Sequence, residues 1–291
     1  MSFLTKPRRI AHKNLQRILP VSNSGGADRG TQLLLAREWA RLYREGDLLQ
    51  LRDVEFRNNS QNGEDGTLLY LMTLAGHGSR RAIELCAGDG IQNNTANLVL
   101  HHDWDVLMID GDLSLIERGR QYYSEHPETF RIGPTLVAEW VTTENVNNIL
   151  GRHGYQHDID LLSLDMDGVD YWILDALDIR PRVMVLEYNN RIPTHLALTV
   201  PNRSSFKAEG GAWAGDGFFG ASLAAFNHLL TDRGYRLVGA NRHNTNAYFL
   251  RNDVLIDMPA ALVADCQTSR WARHQVANWG LLADRPWVRV E

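Results

Sequence analysis

The chain has 291 residues, 44% of them hydrophobic and 22% charged, with a formal net charge of -5, a composition that suits a globular protein with one sizeable core. The negative balance argues against a dominant phosphate-binding surface, so nucleic acid is not an expected partner. No apolar run reaches the roughly 18 residues that span a membrane, the first residues hold no signal-peptide core, and the two cysteines, Cys86 and Cys266, make no disulfide framework; a cytoplasmic protein without a membrane partner is expected.

Residues 1–28 are polar, with a basic cluster between Lys6 and Arg17 that reads as a solvated tail and a flexible break at residues 22–26. From Thr31, Leu35, Trp39, Leu42 and Tyr43 recur on one helical face. Residues 1–59 are therefore expected to be an N-terminal extension carrying one amphipathic helix. The turn at residues 60–66 places Glu64 and Asp65 at the start of an apolar helical stretch, where acids offset the positive helix end.

Residues 81–90 form a short apolar run closed by a turn with Gly88 and Gly90, and a helix follows. Strand, tight turn and helix make a nucleotide-binding corner, since glycine lets the backbone approach a ligand and the helix presents free N–H groups. A second strand, residues 105–109, ends in Asp110, 20 positions after Gly90, where an acid holds a ribose hydroxyl pair. The dinucleotide fingerprint fails, because Asn93 stands where its third glycine belongs. Residues 135–140 read as a third strand, with Glu139 and Trp140 at its carboxyl end. Helix 144–150, strand 160–164, helix 171–177 and strand 182–186 follow. Strands and helices alternating in this way give a doubly wound parallel sheet. Helix 222–232 and a hairpin, 235–239 with 247–251, close the domain.

Glu84-Leu85-Cys86-Ala87-Gly88-Asp89-Gly90 resembles the first motif of the class I S-adenosylmethionine (SAM)-dependent methyltransferases, with Cys86 where a glycine is usual. The resemblance covers residues 80–252. It implies a Rossmann-like, mostly parallel seven-stranded sheet with one antiparallel strand, a SAM-binding domain at residues 60–255 and a C-terminal extension at 256–291. It also implies cofactor contacts from Glu84, Gly88, Asp89, Gly90 and Asn94 around the turn, and from Asp110 and Gly111 at the ribose. Glu139 and Trp140 would meet the adenine, Asp165 would lie at the fourth strand end, and Gln61 or Glu64 would reach the methionine end.

Asp165, Asp167 and Asp170 follow the fourth strand, and Glu187, Asn189 and Asn190 follow the fifth. Neighbouring strands lie about 4.8 Å apart, so the two groups can converge, and oxygen ligands alone suit a hard cation, Mg²⁺ first, then Ca²⁺ or Mn²⁺. The same acids can instead cap helices and line a metal-free pocket. The arrangement resembles the metal-dependent O-methyltransferases of catechol and macrocin type. That likeness implies Asp165, Glu187 and Asn189 as ligands, with Asp167 next. Three further strings, at residues 60–66, 162–168 and 186–189, resemble a poorly characterised bacterial methyltransferase-like family. The expected reaction is methyl transfer to a hydroxyl of a small molecule, a natural-product or sugar intermediate, with Asp165 and Asp167 in catalysis and His195, or else His243 in the hairpin turn, as the candidate general base. A metal-free SAM enzyme and a non-catalytic binding protein are the alternatives. His195 lies in a long loop, 191–219, of the kind that covers a site. Trp271, Trp279 and Trp287 among the C-terminal arginines could pack on the core, stack a substrate or join subunits, so the terminal extensions are where a homo-oligomer contact is expected.

Overall fold

The computed structural model describes residues 26–76, 78–203, 206 and 217–290; the basic tail and most of the loop after residue 203 lie outside them. The strands are β1 (Arg81–Leu85), β2 (Asp105–Asp110), β3 (Thr135–Ala138), β4 (Leu161–Leu164), β5 (Val183–Glu187), β6 (Leu198–Thr199), β7 (Tyr235–Ala240), β8 (Asn246–Arg251) and β9 (Val288–Arg289). Seven of them form one sheet in the order β3-β2-β1-β4-β5-β8-β7. All run parallel except β8, which is antiparallel to both β5 and β7. This is the doubly wound, mostly parallel seven-stranded architecture expected from the alternation. Chain order reverses at β1, which pairs with β2 on one side and β4 on the other, so a crevice opens beyond the carboxyl ends of these strands.

The helices are α1 (Arg29–Arg44), α2 (Glu64–Ala75), α3 (Ala96–His102), α4 (Leu113–Ser124), α5 (Val146–Arg152), α6 (Asp170–Ala176), α7 (Leu223–Asp232) and α8 (Arg270–Ala277). The central strands are apolar throughout because helices cover both faces. Ile83, Leu107, Leu162 and Leu186 point to the α5–α7 side. Ala82, Val106, Val185 and Tyr248 point to the α1–α3 side. Each fully buried leucine or isoleucine contributes roughly 1.5–3 kcal/mol.

Both terminal segments pack on this core. Trp39 of α1 meets Tyr70 of α2 edge-on, ring centroids 5.5 Å apart. Gln32 is fully buried and exchanges hydrogen bonds with Asn97 of α3 at 2.9 and 3.1 Å. His102, whose Nε2 lies 2.7 Å from the Gln32 Oε1 acceptor, is pushed down to about 4 by burial, so its ring is neutral. At the other end β9 pairs with β6. The 191–219 loop thus contains a strand that sequence patterning misses, because its partner lies some ninety residues later. Of the three C-terminal tryptophans, Trp271 is exposed, while Trp287 packs on Phe218 at 4.6 Å and on Trp279 at 5.9 Å.

Helix α2 starts at Glu64, ahead of its apolar stretch, because Asp65 ties the preceding loop down. The fully buried Asp65 carboxylate accepts N–H bonds from Asn58, Asn59 and Ser60 at 2.7, 2.7 and 2.8 Å. Burial raises its pKa from 3.8 to about 6, against the lowering by those bonds. The folded chain therefore holds this proton more tightly than the unfolded chain. The resulting stabilisation is full below pH 3.8 and is lost as pH rises to about 6. Asp65→Asn can keep an oxygen for the three donors without the charge. The gap in unfolding free energy between variant and wild type, measured in urea at pH 4 to 7, is expected to move by roughly 2 kcal/mol in favour of the variant across that window.

Candidate functional site

The turn after β1 is shaped by three left-handed residues, Cys86 (φ 59°), Gly88 (φ 61°) and Gly90 (φ 71°). A Cβ on Gly88 would meet nothing within 4 Å, whereas one on Gly90 would lie 2.7 Å from Met108 Sδ. Gly88 thus opens to the crevice and Gly90 closes onto the core. Helix α4 packs against the back of the turn through Gly119, where a Cβ would come within 2.3 Å of the Asp89 carbonyl oxygen.

Glu84 anchors the turn from below. Its buried carboxylate accepts from Asn94 N at 3.1 Å, Thr95 N at 2.8 Å and Ser163 Oγ at 3.0 Å, and from the Thr95 hydroxyl. Burial raises its pKa against those bonds. Asn94 donates from Nδ2 to Ser163 Oγ at 3.0 Å. Asp89 pairs with Arg118 and accepts from Ile91 N at 3.0 Å. The Glu84, Asn94 and Asp89 side chains thus hold the turn's shape, and none of the three is among the residues that line the cleft beside it.

A cleft of about 580 Å³ sits at the carboxyl ends of β1, β2, β3 and β4, within the usual range for small-molecule sites. Cys86, Asp110, Gly111, Glu139, Trp140 and Asp167 are among its lining residues, and Met166, Val169 and Phe206 give it an apolar wall. Asp110 accepts from Gly88 N and Asp112 N, both at 2.8 Å, which aligns acid and glycine turn. Burial raises its pKa, opposed by those two bonds. The half-exposed Trp140 ring lies over Gly111, where a Cβ would come 2.6 Å from ring carbon Cε3. Glu139 is held by Arg152 at 2.5 Å. Strand β3 ends at Ala138, which frees the Glu139 and Trp140 side chains from the sheet's alternation. Burial and the carboxylates Asp110, Asp170, Asp165 and Asp167 push the Cys86 thiol well above its ordinary pKa.

Beside the cleft, one carboxylate oxygen each from Asp165, Asp167 and Glu187 come within 4.8 Å of one another, all three residues half-buried. Asp170 builds the loop that brings them there. Its fully buried carboxylate accepts from Met166 N at 2.6 Å and Gly168 N at 2.9 Å, and burial raises its pKa to about 6. Three oxygen donors of this kind match a hard divalent cation. Asp167 belongs to both features, because it also lines the cleft.

The remaining expected residues lie elsewhere. Asn189 is fully buried and spends its amide on the loop, donating to Gly217 O and Phe219 O at 2.9 Å each and accepting from Arg191 N at 3.0 Å. Glu64 is buried against Asn62 N, Asn241 Nδ2 and Asn246 Nδ2, each at 2.8 Å, so its carboxylate does not reach the cleft. Gln61 and His195 are exposed and are not among its lining residues. Phe206 is a lining residue that sequence reasoning missed, and no local pattern marks it. Asp170 was recognisable as one of three aspartates after β4, but not as the one that turns inward. A second cleft, about 610 Å³, lies at the opposite ends of β4 and β5 around Asp175, Arg180 and Tyr235, away from the carboxyl edge.

A scan of known protein families finds no match to this chain. A search of curated proteins finds none either. Among solved structures, the chain is similar to an S-adenosylmethionine-dependent methyltransferase from Clostridium acetobutylicum ATCC 824, with 11% identity over 74% of this chain and 97% of that one and a TM-score of 0.39. It is also similar to the N-terminal domain of EvdMO1 with SAH bound, at 13% identity over 74% and 95% with a TM-score of 0.43. A third likeness, to the O-methyltransferase TomG from Streptomyces achromogenes in complex with SAM, has 19% identity over 53% of this chain and 64% of that one, TM-score 0.32.

Proposed function

We propose that the cleft binds SAM and that the chain transfers its methyl group to a hydroxyl of a small molecule, with a divalent cation, Mg²⁺ first, held by Asp165, Asp167 and Glu187. The observation that carries this reading is the position of Asp167, which lines the glycine-turn cleft and also joins the three-carboxylate cluster. Cofactor end and acceptor end then meet at one residue.

When bound, SAM supplies an electrophilic methyl on a sulfonium and the cation lowers the pKa of the acceptor hydroxyl. The protein supplies alignment and proton transfer. Gly88 leaves room for close backbone approach, Asp110 accepts from the ribose hydroxyls, and Trp140 covers the base. Asp170 fixes the Met166–Gly168 turn, and with it the distance between cleft and carboxylates. Asp165 or Asp167 would take the proton that the acceptor hydroxyl gives up, while SAM, when bound, would supply the methyl group and keep the bonding pair on its sulfur. A natural-product or sugar intermediate is the acceptor class to screen first.

Thermal unfolding with SAM or S-adenosylhomocysteine (SAH), each with Mg²⁺ and with a chelator, tests the reading. Ligand at 100 times its dissociation constant stabilises by about 2.7 kcal/mol, a rise of several degrees for a chain of this size. A SAM shift that grows with Mg²⁺ supports both halves, a metal-indifferent shift removes the cation, and no shift removes the cofactor.

A further inference from the structure

Resting on the cation reading, we infer that Asn246, not Asn189, supplies a neutral oxygen to the carboxylate cluster and that Glu64 holds it in place. Asn246 opens β8 and lies directly opposite Glu187 in the antiparallel β5–β8 register. Directly paired residues share one face of the sheet with Cβ atoms about 5 Å apart. Glu187 therefore carries Asn246 beside the cluster that Asp165 and Asp167 complete.

The hydrogen bonds of the Asn246 side chain point the same way. Its Nδ2 donates to Glu64 Oε1 at 2.8 Å, which fixes the amide orientation, because a carboxylate takes only a donor. Its Oδ1 is buried and has no hydrogen-bond partner among the described residues, on a side chain 8% exposed. An amide oxygen in that state is costly unless something meets it. The Asn189 amide is already spent at both ends on loop backbone.

Glu64 also fastens the hairpin turn that presents Asn246. It accepts from Asn241 Nδ2 at 2.8 Å, while Thr245 O accepts from Tyr188 N at 2.9 Å and Asn244 O from Asn190 Nδ2 at 2.7 Å. The hairpin turn is thus stitched to the residues that follow Glu187. Glu64 is thus a positioning residue for Asn246, with no contact to substrate.

The test is Mn²⁺ affinity, read from the electron paramagnetic resonance signal of free Mn²⁺, with SAH-induced thermal shift as the check on folding. Asn246→Ala is expected to weaken Mn²⁺ at least about tenfold and leave the SAH shift in place. The double swap Glu64→Gln with Asn246→Asp reverses donor and acceptor between the two at constant charge, at the expense of the Asn241 Nδ2 bond to Glu64, and keeps an oxygen at position 246, so it is expected to bind Mn²⁺ more tightly than Asn246→Ala. Wild-type affinity in a folded Asn246→Ala chain would overturn the assignment and leave the cation site standing. So would a folded double swap that binds Mn²⁺ no more tightly than Asn246→Ala. Failure of the wild type to bind Mn²⁺ would remove the cation site and this assignment together.

Discussion

Replacing Glu187 with Gln is expected to lower Mn²⁺ affinity, and with it methyl transfer to whichever acceptor supports turnover, by at least about 100-fold. SAH affinity should stay within about threefold. The two readouts separate because Glu187 belongs to the carboxylate cluster but does not line the cleft. Three carboxylates with oxygens within 4.8 Å of one another favour a cation among them, so removing one charge should weaken the hold on metal. Asp165→Asn should behave alike on metal. Calorimetric Mn²⁺ and SAH titrations of the same preparations check the split. A Glu187→Gln chain that binds Mn²⁺ like wild type would show that the cluster holds no ion, and the metal-free reaction would take precedence.

Asp110→Ala carries the second large effect, and it falls on the cofactor. Hydrogen bonds to a charged group are worth about 1.5–3 kcal/mol. Loss of the ribose contact should therefore weaken SAH by roughly 10- to 100-fold, with Mn²⁺ affinity unchanged. A further loss comes from the turn, because Asp110 holds Gly88 N and Asp112 N at 2.8 Å each. Asp110→Asn separates the two contributions: it retains an acceptor for one backbone N–H but presents a donor in place of the other carboxylate oxygen. Equal SAH affinity in wild type and Asp110→Ala would place the ribose elsewhere.

The sheet was legible in the sequence because its strands are buried on both faces and bounded by turns, so each of β1, β2, β4 and β5 stands out as an apolar run. Acids at strand ends were legible for the same reason: Asp110, Asp165 and Glu187 close such runs at once. What the sequence hid is direction. Asp165, Asp167 and Asp170 form one string, yet two join the cluster while the third turns inward onto Met166 N and Gly168 N. The family resemblance made Glu84 and Glu64 cofactor contacts, but burial commits both carboxylates to donors of the protein itself. Long-range partners were beyond local pattern. Phe206 reaches the cleft from a loop, β6 finds β9, and Asn246 stands opposite Glu187 only because the hairpin closes antiparallel on β5.

The central claim, that the cleft at Gly88, Asp110 and Trp140 is a SAM site, is tested most directly by titrating SAH into the wild-type chain in a calorimeter, with Asp110→Ala alongside. One equivalent of SAH should bind the wild type with a dissociation constant of about 1–100 µM, roughly 5.5–8 kcal/mol, and bind the variant far more weakly. No heat up to millimolar SAH, or identical isotherms for the two chains, would contradict it.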